Sequence, residues 1–180
     1  SQAETPVSRE IPSATLTATA LPLSTVTQTP TATPSIIQLI SIVEQSVVRV
    51  RTADGVASGF LFDEAGLVMT NAHVVENSSR VIVIHADIEH NAVVIGVDED
   101  IDLAVLRMQF GDQKLHHLQF ADSDAVSLGE EVFAIGFPLT SILGDEITVT
   151  RGIVSSKRQI DGIDYVQTDA AVNPGSSGGP

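Results

Sequence analysis

The feature that most constrains the fold is a succession of short runs rich in β-branched residues, joined by turns that end in glycine. Glycine reaches positive φ without a Cβ clash, so residues 53–55 (Ala-Asp-Gly) and 63–66 (Asp-Glu-Ala-Gly) predict hairpin turns. The strands that they join are then antiparallel neighbours rather than βαβ units. Six such strands predict a small closed barrel, because closure removes exposed edges. The runs are Val47–Thr52, Val56–Phe62, Leu67–Thr70, Arg80–His85, Ala92–Val97 and Leu103–Met108.

A second β group follows a polar connection, Gly111–Ser123. Its last two runs are joined by another Asp-Gly turn, so they also predict a hairpin. Three or four strands are too few to close a barrel, and we expect this group to be an incomplete second barrel. The runs are Glu131–Gly136, Ile147–Ser155 and Ile163–Thr168. The sequence therefore predicts an all-β chain with two β units, residues 35–112 and 113–180.

The N-terminal 34 residues have a different composition, since Thr, Ser, Pro and Ala account for 23 of them. They show no apolar period, so residues 1–34 predict a disordered linker that holds a domain off a cell envelope. A disordered tail without a spatial role fits them equally well. Next, Ser35 can cap a helix whose Ile36, Ile40, Val43 and Val47 share one face. We expect a short helix packed on the domain that follows.

Composition excludes several classes of protein. The chain of 180 residues has 23 acidic and 9 basic residues, and its formal charge of −14 argues against nucleic acid as a partner. It contains no Cys, which rules out a disulfide framework, cysteine-ligated zinc and cysteine catalysis. No apolar run approaches the roughly 18–20 residues needed to span a bilayer.

The C-terminal residues 173–180 read NPGSSGGP. A serine between glycines suits a nucleophilic hydroxyl in a sharp turn, where free backbone N–H groups could hold an oxyanion. A Gly/Ser-rich turn without chemistry is the alternative. A serine nucleophile also needs an imidazole to take its proton and a carboxylate to orient that imidazole. His73, just after the third strand, and Asp102, at the start of the sixth, are candidates for these roles.

Taken together, these residues resemble the HtrA (Deg) family of trypsin-like serine proteases, in order from about Ile36 to Pro180. The resemblance implies a chymotrypsin/trypsin-like double six-stranded β-barrel with the active site in the cleft between the barrels. The motifs that carry it are SGFLFDEAGLVMTNAHVV, DIDLAVLRM, VFAIGFP, RGIVSSKR and TDAAVNPGSSGGP.

The resemblance also implies roles for individual residues. His73 would be the general base and Asp102, rather than Asp98 or Asp100, its orienting carboxylate. Ser177, rather than Ser176, would be the nucleophile. The backbone N–H groups of Gly175 and Ser177 would form the oxyanion hole. Ala171 and Val172 would help to line the substrate pocket, and with no acid there we expect a preference for small or aliphatic residues. We expect no cofactor and no metal.

At the level of function, the resemblance implies a serine endopeptidase that cleaves unfolded or misfolded proteins through an acyl-enzyme intermediate. Such enzymes serve protein quality control in the bacterial envelope, as periplasmic, secreted or membrane-tethered proteins. A homotrimer and a downstream PDZ domain are further implications. The alternative is a non-catalytic, protease-like module that binds peptides.

Three other interpretations remain to be weighed. The spacing Gly175-x-Ser177-x-Gly179 also matches the nucleophile elbow of α/β-hydrolases, but that fold needs a helix and a histidine after the serine. The loop Phe137–Glu146 is either a plain surface loop or similar to the mobile loops that switch activity in this family. A metal is disfavoured, because the remaining histidines lack a ligand spacing and suit a surface position. They are His85, His90, His116 and His117.

The family's chain continues past the Ser-Gly-Gly with strands that complete the second barrel. We therefore regard residues 1–180 as truncated just after the serine motif. Expressed alone, they are expected to be poorly soluble or inactive, with the first barrel (about Ile36–Met108) the better-ordered half.

Overall fold

The first β group closes into a barrel of six antiparallel strands, which confirms the architecture predicted from the short runs and their turns. The computed structural model describes residues 34–111, 114–138, 144 and 146–180. Around the barrel the order is β1-β2-β3-β6-β5-β4, and β4 pairs back to β1. The strands are β1 (Val47–Arg51), β2 (Val56–Leu61), β3 (Leu67–Thr70), β4 (Arg80–His85), β5 (Ile88–Asp98) and β6 (Leu103–Met108).

The barrel is filled by Val, Leu and small residues from all six strands, as expected for a chain with 4% aromatic residues. Val48, Val50, Leu61, Val68 and Leu106 are each 0% exposed. Burying one such side chain contributes roughly 1.5–3 kcal/mol relative to leaving it in water. Four successive residues of β1 are buried on both faces of the strand, since the second β group contacts its outer face.

The second β group forms a three-stranded antiparallel sheet in the order β7-β8-β9. The strands are β7 (Glu131–Gly136), β8 (Thr148–Ile160) and β9 (Ile163–Thr168). Both β1 and β2 contact β7, so the sheet packs against the barrel on the side where the barrel's first hairpin lies. As predicted, this group is not a closed barrel.

Two strands are longer than their sequence patterns predict. β5 begins at Ile88 instead of Ala92, and β8 continues from Ser155 to Ile160. Both extensions are rich in polar and charged residues, so they give no apolar signal. The turn before β5 also lacks glycine: Ala86 and Asp87 adopt left-handed conformations, with φ of 47° and 62°.

The predicted N-terminal helix is present as α1 (Ile36–Val43), with Ser35 at its N-cap. Val47, predicted to lie on the same helical face, instead begins β1. The Ser35 hydroxyl accepts from the N–H of Gln38, whose side chain accepts from the Ser35 N–H. The predicted packing is only partial, because no residue of α1 is fully buried and its apolar face borders an open cavity of about 450 Å³ beside β7. Among the described residues, none of the helices has the length and apolarity to cross a bilayer.

Two predicted segments fall outside what the structure describes. These are residues 1–33 of the predicted linker, and residues 139–143 and 145 of the loop Phe137–Glu146.

Candidate functional site

The pairing of β3 with β6 brings His73 and Asp102 to one rim of the barrel. Because the two strands are antiparallel and Thr70 lies opposite Ala104, the end of β3 meets the start of β6. His73 follows β3 in the one-turn helix α2 (Ala72–Val75), and Asp102 directly precedes β6. Two residues 29 positions apart in the chain are thus neighbours because of the barrel's strand order.

His73 and Asp102 are joined by two hydrogen bonds. The ring Nδ1 of His73 lies 2.8 Å from Asp102 Oδ2, and the His73 backbone N–H donates to Oδ1 at 3.0 Å. A carboxylate at Nδ1 favours the tautomer protonated there, which leaves Nε2 to accept a proton. Partial burial would raise the pKa of Asp102, but the hydrogen bonds from His73 outweigh it and lower that pKa below its ordinary value. The carboxylate therefore stays ionised at neutral pH.

The backbone of Asp102 is held in an uncommon conformation. Its φ is 54°, in the left-handed region, and the side-chain amide of Asn71 donates to its carbonyl oxygen at 2.8 Å. Strain of this kind costs of order 1 kcal/mol and persists where the surroundings fix it. Sequence reasoning missed Asn71, since one Asn near the end of a strand has no local signature that separates it from an ordinary turn residue.

Ser177 lies in a turn that only glycine-rich sequence can form. Gly175 and Gly178 have φ of 96° and 81°, and the Ser176 N–H donates to the Asn173 carbonyl at 2.9 Å. Within the part of the chain that the structure describes, neither the Gly175 N–H nor the Ser177 N–H has a hydrogen-bond acceptor. Two free donors beside one hydroxyl can stabilise the oxyanion that forms on a carbonyl oxygen when the hydroxyl oxygen attacks the carbonyl carbon.

This turn docks directly on the first barrel. The Ser58 N–H of β2 donates to the Ser177 carbonyl at 2.9 Å. A Cβ at Gly178 would meet the hydroxyl of Thr70 and the carbonyl oxygen of Ser58. Gly178 therefore allows close approach of the backbone as well as positive φ.

Residues of both β groups converge on one cavity of about 170 Å³. His73, Gly175 and Ser177 line it, opposite the turn between β1 and β2. Among the described residues, no hydrogen bond joins His73 to Ser177. Contacts between a base and a nucleophile commonly tighten only when substrate binds. The site thus contains an oriented imidazole, a hydroxyl and two free N–H groups around one small cavity.

The two residues predicted to line the substrate pocket lie in different surroundings. Val172 lines an apolar cavity of about 240 Å³ formed with residues of β7 and β9. Ala171 is not part of that cavity, and its carbonyl accepts from the Thr150 hydroxyl at 2.8 Å. The structure thus places Val172, but not Ala171, in this apolar cavity, which also borders the Ser177 turn.

The other histidines lie apart from this site. His85 contacts the Gln45 carbonyl at 2.8 Å and His90 the Gln109 carbonyl at 3.2 Å, while His116 and His117 are exposed. Over the described ranges, no group of three or more His, Asp or Glu side chains is arranged to hold a metal ion.

Comparisons with known proteins place this geometry in context. Residues 57–180 match the family described as "Trypsin-like peptidase domain". The chain is similar to a probable periplasmic serine endoprotease, DegP-like, of Chlamydia trachomatis serovar D, with 40% identity over 129 residues, 68% of this chain and 25% of that protein. It is also similar to the chloroplastic Protease Do-like 1 of Arabidopsis thaliana, with 40% identity over 135 residues, 70% of this chain and 30% of that protein.

Solved structures show the same relationship. The crystal structure of Deg5 matches with a TM-score of 0.70 and 32% identity, covering 80% of this chain and 77% of that one. An HtrA-type protease with tripeptide matches with a TM-score of 0.71 and 32% identity, covering 81% of this chain and 50% of that one. The chain spans about a quarter of the length of the curated bacterial relatives that it matches.

Proposed function

Because the chain belongs to the HtrA (Deg) family of trypsin-like serine proteases, we propose that the protein is a serine endopeptidase acting through a His-Asp-Ser triad. One observation carries the proposal: His73, whose ring Nδ1 contacts the Asp102 carboxylate, lines the same cavity as Ser177. Acyl transfer to a serine needs a base that is itself oriented by a third group, and this arrangement supplies both.

The proposed mechanism assigns one task to each group. Asp102 keeps His73 protonated at Nδ1, so Nε2 takes the proton of Ser177 Oγ as this oxygen attacks the scissile carbonyl. The N–H groups of Gly175 and Ser177 stabilise the resulting oxyanion. Collapse of the tetrahedral intermediate breaks the C–N bond, and His73 returns the proton to the leaving amine. Water, deprotonated by His73, then hydrolyses the acyl-enzyme.

The names of the relatives support a cellular location for this protein. Several are called periplasmic serine endoproteases, and we infer an extracytoplasmic location for this protein in a bacterial cell envelope, as a periplasmic, secreted or membrane-tethered enzyme. Its substrates are then unfolded or misfolded proteins, and its role is protein quality control. Family membership also supports a homo-oligomer, a trimer, with a PDZ domain as a further part of the protein.

The dependence of activity on pH tests the proposed base. Because the pKa of Asp102 is lowered, this carboxylate is already ionised in mildly acidic solution and does not limit the rate there. The imidazole must be neutral to accept the serine proton, so kcat/KM should rise from acidic to neutral pH and then level off. The measurement is the pH–rate profile of the full-length protein on an unfolded protein. An activity optimum at about pH 4 would indicate that a carboxylate, and not an imidazole, is the catalytic base.

Cleavage specificity follows from the apolar cavity that Val172 lines. Its described lining contains no acidic side chain, so it offers no counter-ion to Arg or Lys. We expect the residue before the scissile bond to be small or aliphatic, and profiling with a peptide library measures this preference. A strong preference for Arg or Lys would contradict the assignment.

A further inference from the structure

Ser58 places a hydroxyl in the interior of the protein, directly behind the Ser177 turn. It is 0% exposed on β2. Its Oγ donates to the Gly175 carbonyl at 2.8 Å and accepts from the Phe137 N–H, also at 2.8 Å. A buried hydroxyl is costly unless both its donor and its acceptor functions are satisfied. Here both are satisfied, and both partners belong to the second β group.

The surroundings of this hydroxyl leave little room for rearrangement. Thr70, also 0% exposed, donates from its hydroxyl to the Ser58 carbonyl at 2.8 Å. On the other side, a Cβ at Gly136 would lie 2.7 Å from Ser58 Oγ and 3.3 Å from the Cα of Ser176. The end of β7, the hydroxyl of Ser58 and the Ser177 turn are therefore in close contact.

The turn itself needs such support. Gly175 has φ of 96°, and glycine can rotate between several backbone conformations that other residues do not reach. Two bonds from Ser58 hold this turn: its N–H fixes the Ser177 carbonyl, and its Oγ fixes the Gly175 carbonyl. Ser58, a residue of the other β group, thus anchors the peptide unit between Gly175 and Ser176 and the unit between Ser177 and Gly178, and these two flank the unit that carries the Ser177 N–H.

We propose that Ser58 is a positioning residue for peptide-bond hydrolysis: its hydroxyl holds the Gly175 carbonyl so that the N–H groups of Gly175 and Ser177 stay aimed at the developing oxyanion. The inference rests on the proposed function and adds a residue that contacts neither substrate nor the reacting atoms. A displacement of about 1 Å in such a site can lower the rate on the order of 100-fold. Ser58 opens the motif SGFLFDEAGLVMTNAHVV, but the motif does not indicate this role, since the partner Gly175 lies 117 residues away.

The test compares Ser58→Ala with wild type and with Ser46→Ala in the full-length protein. Ser46 is 1% exposed at the start of the barrel, so its variant controls for the loss of a buried serine hydroxyl. Active-site titration counts functional sites, and kcat is then given per site. For Ser58→Ala we expect kcat to fall about 10-fold to 100-fold with KM nearly unchanged, and for Ser46→Ala a kcat per site near that of wild type.

A second readout separates positioning from folding. A peptide aldehyde forms a tetrahedral adduct with the serine and uses the oxyanion donors, whereas a product peptide does not. Ser58→Ala should lower the binding affinity for the aldehyde by about the same factor as it lowers kcat. The affinity for the product peptide should stay unchanged. If Ser58 had a purely structural role, the variant would have fewer titratable sites, but kcat per site and the affinity of each site for the aldehyde would stay at the wild-type level. This result would overturn the proposal.

Ser58→Cys keeps the experiment decisive if the alanine variant does not fold. The thiol fills the space that alanine leaves empty but is a weak donor, so kcat per site should again fall. A wild-type kcat per site in this variant would refute the role of the hydroxyl. Failure of the proposed function would look different, since wild type itself would then show neither turnover nor titratable sites.

Discussion

Replacing Ser177 with Ala is expected to abolish hydrolysis of unfolded protein by the full-length enzyme, lowering kcat by roughly 10³-fold to 10⁶-fold. The methyl group cannot attack the scissile carbonyl, and the free N–H groups alone give only residual catalysis. Substrate binding should persist, because the variant leaves the cavities beside the turn intact. The measurements are initial rates of cleavage and, separately, the affinity for a peptide that is not cleaved.

The matched variant is Ser176→Ala, one residue earlier in the same turn. Ser176 contributes its N–H to the bond with Asn173, which alanine retains. We therefore expect a far smaller loss than for Ser177→Ala. Equal losses for the two variants, or wild-type cleavage by Ser177→Ala, would show that the nucleophile is assigned to the wrong residue.

Gly178→Ala is expected to have the second largest effect, because it combines backbone strain with a steric clash. Gly178 has φ of 81°, and an added Cβ would meet Thr70 and the carbonyl oxygen of Ser58. The strain costs of order 1 kcal/mol, and crowding in a packed interior typically adds 1–3 kcal/mol. Since relief of the clash would move the Ser177 turn, kcat should fall at least about 100-fold.

Gly129→Ala is the control, as it separates strain from crowding. Gly129 has nearly the same φ, 83°, but a Cβ there would have no heavy atom within 4 Å. This variant should lower the midpoint of unfolding slightly and leave kcat near its wild-type value. Thermal unfolding and kcat of the two variants give the comparison. If Gly178→Ala matched Gly129→Ala in both, close packing of the turn would not matter for activity.

Most of the barrel could be predicted from the sequence because most of its strands are local apolar runs with polar or turn residues at both ends. The runs that become β3, β4 and β6 are each bounded by polar or turn residues, and their limits agree with the structure. The first residues of β5 could not be found in this way. They pair with β4 through a two-residue turn, Ala86-Asp87. Both residues of this turn adopt left-handed conformations, but neither is glycine, the residue that usually indicates such a turn in a sequence.

The site was only partly accessible to sequence reasoning. Residue types suggested a hydroxyl, an imidazole and a carboxylate, but the choice of Ser177 over Ser176 came from family resemblance. Ser58 and Asn71 could not be found, since their hydrogen bonds join residues that are 117 and 31 positions apart and leave no local pattern. The extent to which α1 is covered could not be predicted either. An apolar helical face predicts a partner surface but does not say how completely that surface covers it.

The most direct test of the account is to label the full-length protein with a fluorophosphonate and locate the adduct by mass spectrometry. Phosphonylation requires a serine activated by a neighbouring base, with oxyanion donors in place. The account predicts a single adduct on Ser177, formed quickly in wild type and at least about 100-fold more slowly in His73→Ala. An adduct on Ser176, a rate unaffected by His73→Ala, or no adduct in a correctly folded protein would contradict it, and the last result would favour a protease-like module that only binds peptides.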